Sequence, residues 1–270
     1  ISDDLNAILN VKDELGINFT CSSAKDVPEK DTVDIVVFAC PPNVNKIDIL
    51  DFFPNLKAVI LEKPISQSLE DSTSLQKYLI NRNIKAQVSY LRRGDQFLLS
   101  LVNGGLKKLI GDTVNVQVTY GNGLKNNGSH LIDLARMLFG ESKGILFAKN
   151  SSIETTTLEG DRNISFLIEM QNKILVSGLP IDFNYYRENS MDIWGTNGRI
   201  TFTQEGSYYQ YWKIKKSRFG HGYMEIDWSS PEYGNTKIGE SLYILYDNLQ
   251  SNLKGQKELI SSLDSALITE

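Results

Sequence analysis

"VDIVVFACPPNVNKIDILDFFPNLKAVILEKPIS", Val33 to Ser66, decides the fold. Its flanks, "VDIVVFAC" and "KAVILEKP", are continuous apolar runs rich in β-branched residues. They lack the alternation of a half-exposed strand, so each is expected to be a strand buried on both faces of a parallel sheet. Between them "NKIDILDFFPN" reads as a short helix. Strand, helix, strand is a βαβ unit, and the pattern repeats: "LEDSTSLQKYLINRN" is the next helix and "KAQVSYL" the next strand. Upstream, Leu5, Ile8, Leu9 and Leu15 are spaced as on a helix that closes at Gly16. Residues 1–92 are therefore predicted to form a doubly wound, Rossmann-like α/β domain.

From Arg93 the rhythm changes. One helix is expected over about Asp95 to Ile110, then the strand "TVNVQVTYG" and the helix "SHLIDLARMLFG". Alternating segments follow: "NISFLIEMQ", "KILVSGLP", "NSMDIWGT", "RITFTQ" and "YYQYWKIKK", with Gly, Asn and Pro between them. They predict an α+β domain over 93–270 with a large open, mainly antiparallel sheet. Two closing helices, "ESLYILYDNLQSNLKG" and "ELISSLDSALITE", have room to pack back on the first domain.

The formal net charge of -5, with acidic and basic residues interspersed, argues against nucleic acid as a partner. No apolar run is long enough to span a membrane, and no signal-peptide pattern opens the chain, so a cytoplasmic protein is expected. Cys21 and Cys40 have no CxxC partner; Cys40 reads as a small core residue in its strand. Two histidines without metal-ligand spacing predict no metal site.

A dinucleotide-binding sheet begins with a strand, a Gly-rich turn and a helix, with an acidic residue closing its second strand. No G-x-G-x-x-G occurs near the start. "ISDD" reads instead as the end of that second strand, with Asp3 as the ribose-binding acid. The first strand is thus missing from this sequence, and about 30 residues are expected ahead of Ile1.

Two residues stand out chemically. Lys63 ends the second buried run, and open α/β sheets bind ligands beyond the carboxyl ends of their strands. Pro64 brings a cis Lys63–Pro64 bond within reach, since the tertiary amide makes it cheap. His130 opens a helix whose start opposes its cationic form, which suits a general base. Asp133 lies one turn further on. Each has a plainer reading, as an exposed strand-end lysine and a packed or capping histidine.

Four pieces in order, "VDIVVFACPPN", "LEKPIS", "YLRRGD" and "GSHLIDLARMLFG", resemble the glucose–fructose oxidoreductase/inositol dehydrogenase (Gfo/Idh/MocA) family of NAD(P)-dependent oxidoreductases. The resemblance spans nearly the whole chain and weakens after Gly140. It implies a sugar, cyclitol or nucleotide-sugar substrate whose secondary alcohol and ketone are interconverted. Lys63 would hydrogen-bond the reacting oxygen and lie beside the nicotinamide, and His130 would take the hydroxyl proton. Glu62 would orient the motif and offset the lysine charge. Ala39, Pro41, Pro42, Asn43, Lys63, Pro64 and Tyr90 would line the NAD or NADP, with Asp3 pointing to NAD because a carboxylate repels a 2'-phosphate. Arg92, Arg93, Asn122, Lys125, Asn126, Asn127 and Asp133 would reach the substrate, an ion pair between domains being as good a reading of the two arginines.

Two positions depart from the family pattern: Asn126 stands where many members have an aspartate, and Asn45 where many have a histidine. A non-catalytic sugar- or nucleotide-binding relative is the rival reading. "YYQYW" (Tyr208 to Trp212) is expected to fill a core or a subunit interface, and the family implies a homodimer or homotetramer through this sheet. His221 reads as a loop residue.

Overall fold

The computed structural model describes residues 1, 2, 12 and 14–270. Asp3 and most of the helix expected before Gly16 lie outside them. The described chain divides into two compact units, Ile1–Val88 and Ser89–Glu270, so Tyr90, Arg92 and Arg93 fall in the second.

In the first unit, strands β1 (Ile35–Phe38), β2 (Ala58–Leu61) and β3 (Lys85–Val88) form a parallel sheet in the order β1-β2-β3. Helices α1 (Lys46–Leu50) and α2 (Leu69–Asn81) make the crossovers. All four side chains of β2 are buried, as its unbroken apolar run requires of a strand covered on both faces. The Ser68 hydroxyl caps α2 by accepting from the Asp71 N–H at 3.1 Å, worth about 1 kcal/mol. Leu75 and Leu79, one turn apart, bury its inner face. Arg82, just past α2, donates to the carbonyls of Leu50 at 3.0 Å and Phe53 at 2.6 Å and ties the two helices together. The expected burial of β1 on both faces does not hold. Ile35 is 41% and Val37 51% exposed, because among the described residues β1 pairs only with β2. Cys40 is also misplaced by the sequence reading: it stands half-buried in the loop beyond β1, not in the strand.

The second unit opens with α3 (Gln96–Leu101) and α4 (Gly105–Ile110). One helix was expected here; Asn103 and Gly104 take φ of 54° and 93°, and a left-handed pair ends one helix before the next begins. Then come β4 (Thr113–Tyr120), α5 (Ser129–Phe139), β5 (Ser142–Asn150), β6 (Ile164–Met170), β7 (Leu175–Pro180), β8 (Ser190–Gly195), β9 (Gly198–Thr203), β10 (Tyr208–Lys216), β11 (Met224–Ile226) and β12 (Glu232–Asn235). Helices α6 (Ser241–Leu253) and α7 (Leu263–Thr269) close the chain. The strands form one nine-stranded sheet in the order β11-β10-β9-β8-β4-β7-β6-β5, with β12 beside β10. Every pairing is antiparallel except β4 with β7.

The core lies on the helical face of this sheet, where Val116, Val118, Phe166, Ile193 and Phe202 meet Leu98, Ile110 and Leu134. Tyr209 stacks on Phe97 with ring centroids 4.2 Å apart, and the Tyr211 hydroxyl donates to the Leu109 carbonyl at 2.8 Å. The inward half of "YYQYW" therefore fills the core. On the other face Arg199 sits against Trp194, Trp212 and Trp228 while its guanidinium is held by Asp192 at 2.7 and 2.6 Å. His221, φ 62°, lies between Gly220 and Gly222 in the turn from β10 to β11.

Gly94, in "YLRRGD", stands where helix α6 begins: a Cβ there would lie 2.5 Å from the Ser241 carbonyl oxygen. Gly94→Ala should cost about 1–3 kcal/mol, the usual penalty of overpacking a rigid contact. A urea-denaturation midpoint checks this against Gly144→Ala, whose Cβ meets nothing within 4 Å and which should be nearly silent.

Candidate functional site

The first unit's candidate residues sit at the carboxyl ends of β1 and β2. Beyond β1, Ala39, Cys40, Pro41, Pro42 and Asn43 form a loop closed by the Val44 N–H donating to the Pro41 carbonyl at 3.3 Å. Asn45 then caps α1: its Oδ1 accepts from the Ile47 N–H at 3.1 Å and its Nδ2 donates to Asp48 at 2.8 Å. Beyond β2, the Glu62 N–H donates to the Phe38 carbonyl at 3.1 Å and carries the strand pairing one step further. The Lys63–Pro64 bond is cis. Glu62 is exposed, Lys63 half-buried and Pro64 buried, so the lysine stem is sheltered at the sheet's rim.

A cleft of ≈ 330 Å³ opens between the two loops, lined by Pro42, Asn43, Asn45, Ser66, Gln67 and Asp71 among others. Lys46 also borders it, and the thiol of nearby Cys40 is raised in pKa by burial while the lysine charge pulls it down. Volume, position and the set of amides and hydroxyls fit a small polar ligand or part of a dinucleotide at the edge where doubly wound sheets bind. Among the described residues no group of three His, Cys, Asp or Glu could hold a metal ion, and no helix is long and apolar enough to cross a membrane.

The second unit gathers the other candidates around the start of α5. Tyr90 is buried at 1% exposure, and its ring meets His130 edge-on with centroids 5.7 Å apart and planes at 83°. Burial pushes the Tyr90 phenol well above the usual tyrosine range, and the Asp133 and Glu270 carboxylates push it further. It is a neutral wall beside the imidazole at any working pH. Ser129, whose hydroxyl donates to the Lys125 carbonyl at 2.7 Å, ties the first turn of α5 to the loop before it.

Asp133 is 1% exposed and takes a forked contact from Arg93, whose Nε lies 3.0 and 2.8 Å from its two oxygens and whose second nitrogen lies 2.8 Å away. The Thr269 hydroxyl of α7 donates to the same carboxylate at 3.1 Å, and Arg136 approaches it at 3.5 Å. Arg136 also forks onto Glu141 at 2.7 and 2.8 Å, holding that carboxyl below its usual range, and donates to the Ser265 carbonyl at 2.7 Å and the Thr269 hydroxyl. Arg92, 4% exposed, donates to the Glu205 carbonyl at 2.6 Å; burial lowers its pKa, opposed by the Glu205, Asp133 and Asp95 carboxylates. The structure thus places Arg92, Arg93 and Asp133 in polar contacts inside the second unit.

In the loop before His130, Asn122 accepts from the Thr157 N–H at 2.7 Å, Asn126 donates to the Thr157 hydroxyl at 3.4 Å, and Asn127 donates to the Gly121 carbonyl at 2.9 Å. The backbone N–H groups of Lys125 and Asn126 both reach Asp161. Sequence reasoning missed Asp161 and Thr269, which lie in no motif and act across a long stretch of chain, and Arg136, which lies within the quoted "GSHLIDLARMLFG" but was given no role.

Residues 1–90 match the family model GFO_IDH_MocA, described as an oxidoreductase family with an NAD-binding Rossmann fold. Among solved structures, a super-repressor mutant of Gal80p from Saccharomyces cerevisiae is 17% identical, with a TM-score of 0.76 over 99% of this chain and 84% of that one. An oxidoreductase from Agrobacterium radiobacter, in complex with NAD+, L-tartaric acid and magnesium, is 18% identical, with a TM-score of 0.72 over 99% and 84%. The WlbA dehydrogenase from Bordetella pertussis, in complex with NADH and UDP-GlcNAcA, is 17% identical, with a TM-score of 0.71 over 99% and 83%. At such identities the likeness is one of fold. Comparison with the curated proteins finds no match.

Asp133→Ala would leave Arg93 and Arg136 facing a buried gap where their shared carboxylate stood. The expected loss is about 3–5 kcal/mol, measured by chemical denaturation, with Asp133→Asn losing less because it keeps an acceptor.

Proposed function

From the premise that residues 1–90 belong to the Gfo/Idh/MocA oxidoreductase family with its NAD-binding Rossmann fold, we propose that this chain is an NAD(P)-dependent oxidoreductase. Its substrate is a sugar, cyclitol or nucleotide-sugar, on which it interconverts a secondary alcohol and a ketone. The observation that carries the reading is Lys63, sheltered at the carboxyl end of the fully buried strand β2, where a sheet of this class meets its ligand.

Ala39, Pro41, Pro42, Asn43, Lys63 and Pro64 would hold the cofactor, and Tyr90 is a further candidate contact for it. Glu62 offsets the lysine charge from the solvent side. Asp3, outside the described residues, makes NAD the favoured form, since a carboxylate would repel a 2'-phosphate. The nicotinamide, when bound, takes up or returns the hydride. The remaining work belongs to side chains. His130 takes the hydroxyl proton, acting as the general base that a neutral imidazole at a helix start is suited to be. The Lys63 ammonium would donate a hydrogen bond to a substrate oxygen and lower the cost of negative charge developing there, an effect of several kcal/mol in a dry site. Tyr90 keeps the imidazole ring in place and brings no charge. Asn122 and Asn126 supply amide groups for sugar hydroxyls. Arg93 and Asp133 act one step back, by fixing the helix that bears His130; Arg92 ties the segment after Tyr90 to the Glu205 carbonyl.

The rival reading is a regulator that binds cofactor or sugar without turning it over. Its support is the similarity to Gal80p, described for Kluyveromyces lactis as a transcriptional regulator, and the neutral Asn126. The setting we assign is the cytoplasm, which suits two free thiols. We also assign self-association through the sheet face opposite the core, where Leu167, Leu179, Trp194 and Trp212 share one side of the pairing register.

Two experiments test these readings. Nicotinamide fluorescence should report cofactor binding to the full-length protein, and a screen of polyols and nucleotide-sugars should then find turnover. Lys63→Ala and His130→Ala should each lower kcat by about 10²–10⁴-fold with cofactor affinity largely intact. Binding without turnover would favour the regulator, and absence of binding would remove the enzyme. In sedimentation, Leu179→Glu, at a position 63% exposed on that sheet face, should shift the protein toward monomer.

A further inference from the structure

Helix α5, which carries His130, starts without a side-chain cap from Gly128, and the π turn Leu124–Gly128 that leads into it has none from Gly123. The first N–H groups of a helix need acceptors from somewhere. The π turn runs straight into α5, the Ser129 N–H donating to the Leu124 carbonyl, and the turn's own first N–H groups find acceptors on a segment some 35 residues further along the chain, between β5 and β6. The Lys125 N–H donates to Asp161 Oδ1 at 3.0 Å and the Asn126 N–H to Asp161 Oδ2 at 2.9 Å. Just ahead of them, the Leu124 N–H donates to the Arg162 carbonyl at 2.8 Å and the Gly123 N–H to Asn163 Oδ1 at 2.9 Å. Asp161 is itself held by the Arg162 N–H at 2.8 Å.

The fit is tight. A Cβ on Gly123 would lie 1.9 Å from Asp161 Oδ2, and Gly123 has φ +96°, so a glycine is needed for the carboxylate to come this close. A negative charge at the start of a helix is also the sign that the helix dipole favours. The same segment adds side-chain contacts from Thr157 to Asn122 and Asn126.

We propose that Asp161 is the positioning residue of the His130 site: a cap supplied across the chain, which sets where the helix begins and so where its imidazole stands. This rests on the reading of His130 as the group that handles the substrate proton. Asp161 touches no reacting atom in this account. It acts through the Lys125 and Asn126 backbone, one turn ahead of the histidine, while the Asp133 carboxylate anchors the same helix one turn behind it.

The chain has only two histidines, His130 and His221, so imidazole NMR on histidine-labelled full-length protein reads the effect without substrate or cofactor. His221→Gln assigns the two signals. Asp161→Ala should move the His130 signal beyond its linewidth and leave that of His221 in place. Asp161→Asn, which keeps one oxygen acceptor, should move it less. Asp182→Asn is the control: this carboxylate accepts from Thr155 and Asn184 in nearby loops but not from the π turn, and its loss should leave both signals where they were. If Asp161→Ala fails to fold, Asp161→Asn decides. A His130 signal unmoved in a folded variant overturns the proposal, as does an equal movement of the His221 signal or the same movement in Asp182→Asn. With a turnover assay in hand, Asp161→Asn should lower kcat by roughly 10–10²-fold with cofactor affinity unchanged. A protein that shows the NMR shift but no turnover keeps the positioning role and loses the oxidoreductase reading.

Discussion

A carboxylate with 1% exposure is expensive to bury, and Asp133 is tolerated only because two guanidiniums and a hydroxyl converge on it. That requirement organises much of the second unit. Arg93 comes from the segment just beyond β3, Arg136 from the next turn of α5, and Thr269 from α7, so one buried charge joins three stretches that are far apart in sequence. A hydrophobic contact in the same place would tolerate a slide or rotation of the helices. A forked guanidinium–carboxylate pair does not, because its two hydrogen bonds share a plane and a direction. The first turn of α5 gains an orientation that packing alone would set more loosely, and His130 is part of that turn.

The elements most legible in the sequence were those whose environment is uniform. Strand β2 is apolar at every position because it is covered on both faces; for α5 the sequence suggests Ile132, Leu134, Ala135, Leu138 and Phe139 as the buried side, of which Leu134, Ala135 and Phe139 are buried, together with Leu131, while Ile132 and Leu138 are half-buried. Where environment and composition part, the reading failed. β1 is as apolar as β2 yet half open, since whether a run lies inside a sheet or at its edge is a property of its neighbours. β5 was missed altogether: its nine residues are all exposed, so no alternation marks it, and only pairing with β6 makes it a strand. The break between α3 and α4 was visible as Asn103-Gly104, but a pair so placed can end a helix or sit on its surface, and the backbone angles decide.

The candidate site divides in the same way. Motif residues announce themselves because side-chain chemistry needs particular groups, and Lys63, Tyr90 and His130 were singled out on that ground. The residues that hold them were not. A positioning contact can use a backbone N–H, which every residue but proline carries, and its acceptor can come from any loop that passes nearby. Arg92, Arg93 and Asp133 carried two readings, as substrate contacts or as structural partners, and their burial and hydrogen bonds engage them with protein groups.

The asparagine at 126 can be understood from this geometry. Its backbone N–H donates to the Asp161 carboxylate, and its side-chain amide reaches the Thr157 hydroxyl as a donor. An aspartate at this position, as the family pattern has it, would add a second carboxylate to a turn whose backbone N–H already donates to Asp161. It would also lose the N–H donor that Thr157 accepts. In a chain whose helix start is capped by a distant carboxylate, a neutral residue at 126 is the arrangement with the least electrostatic conflict.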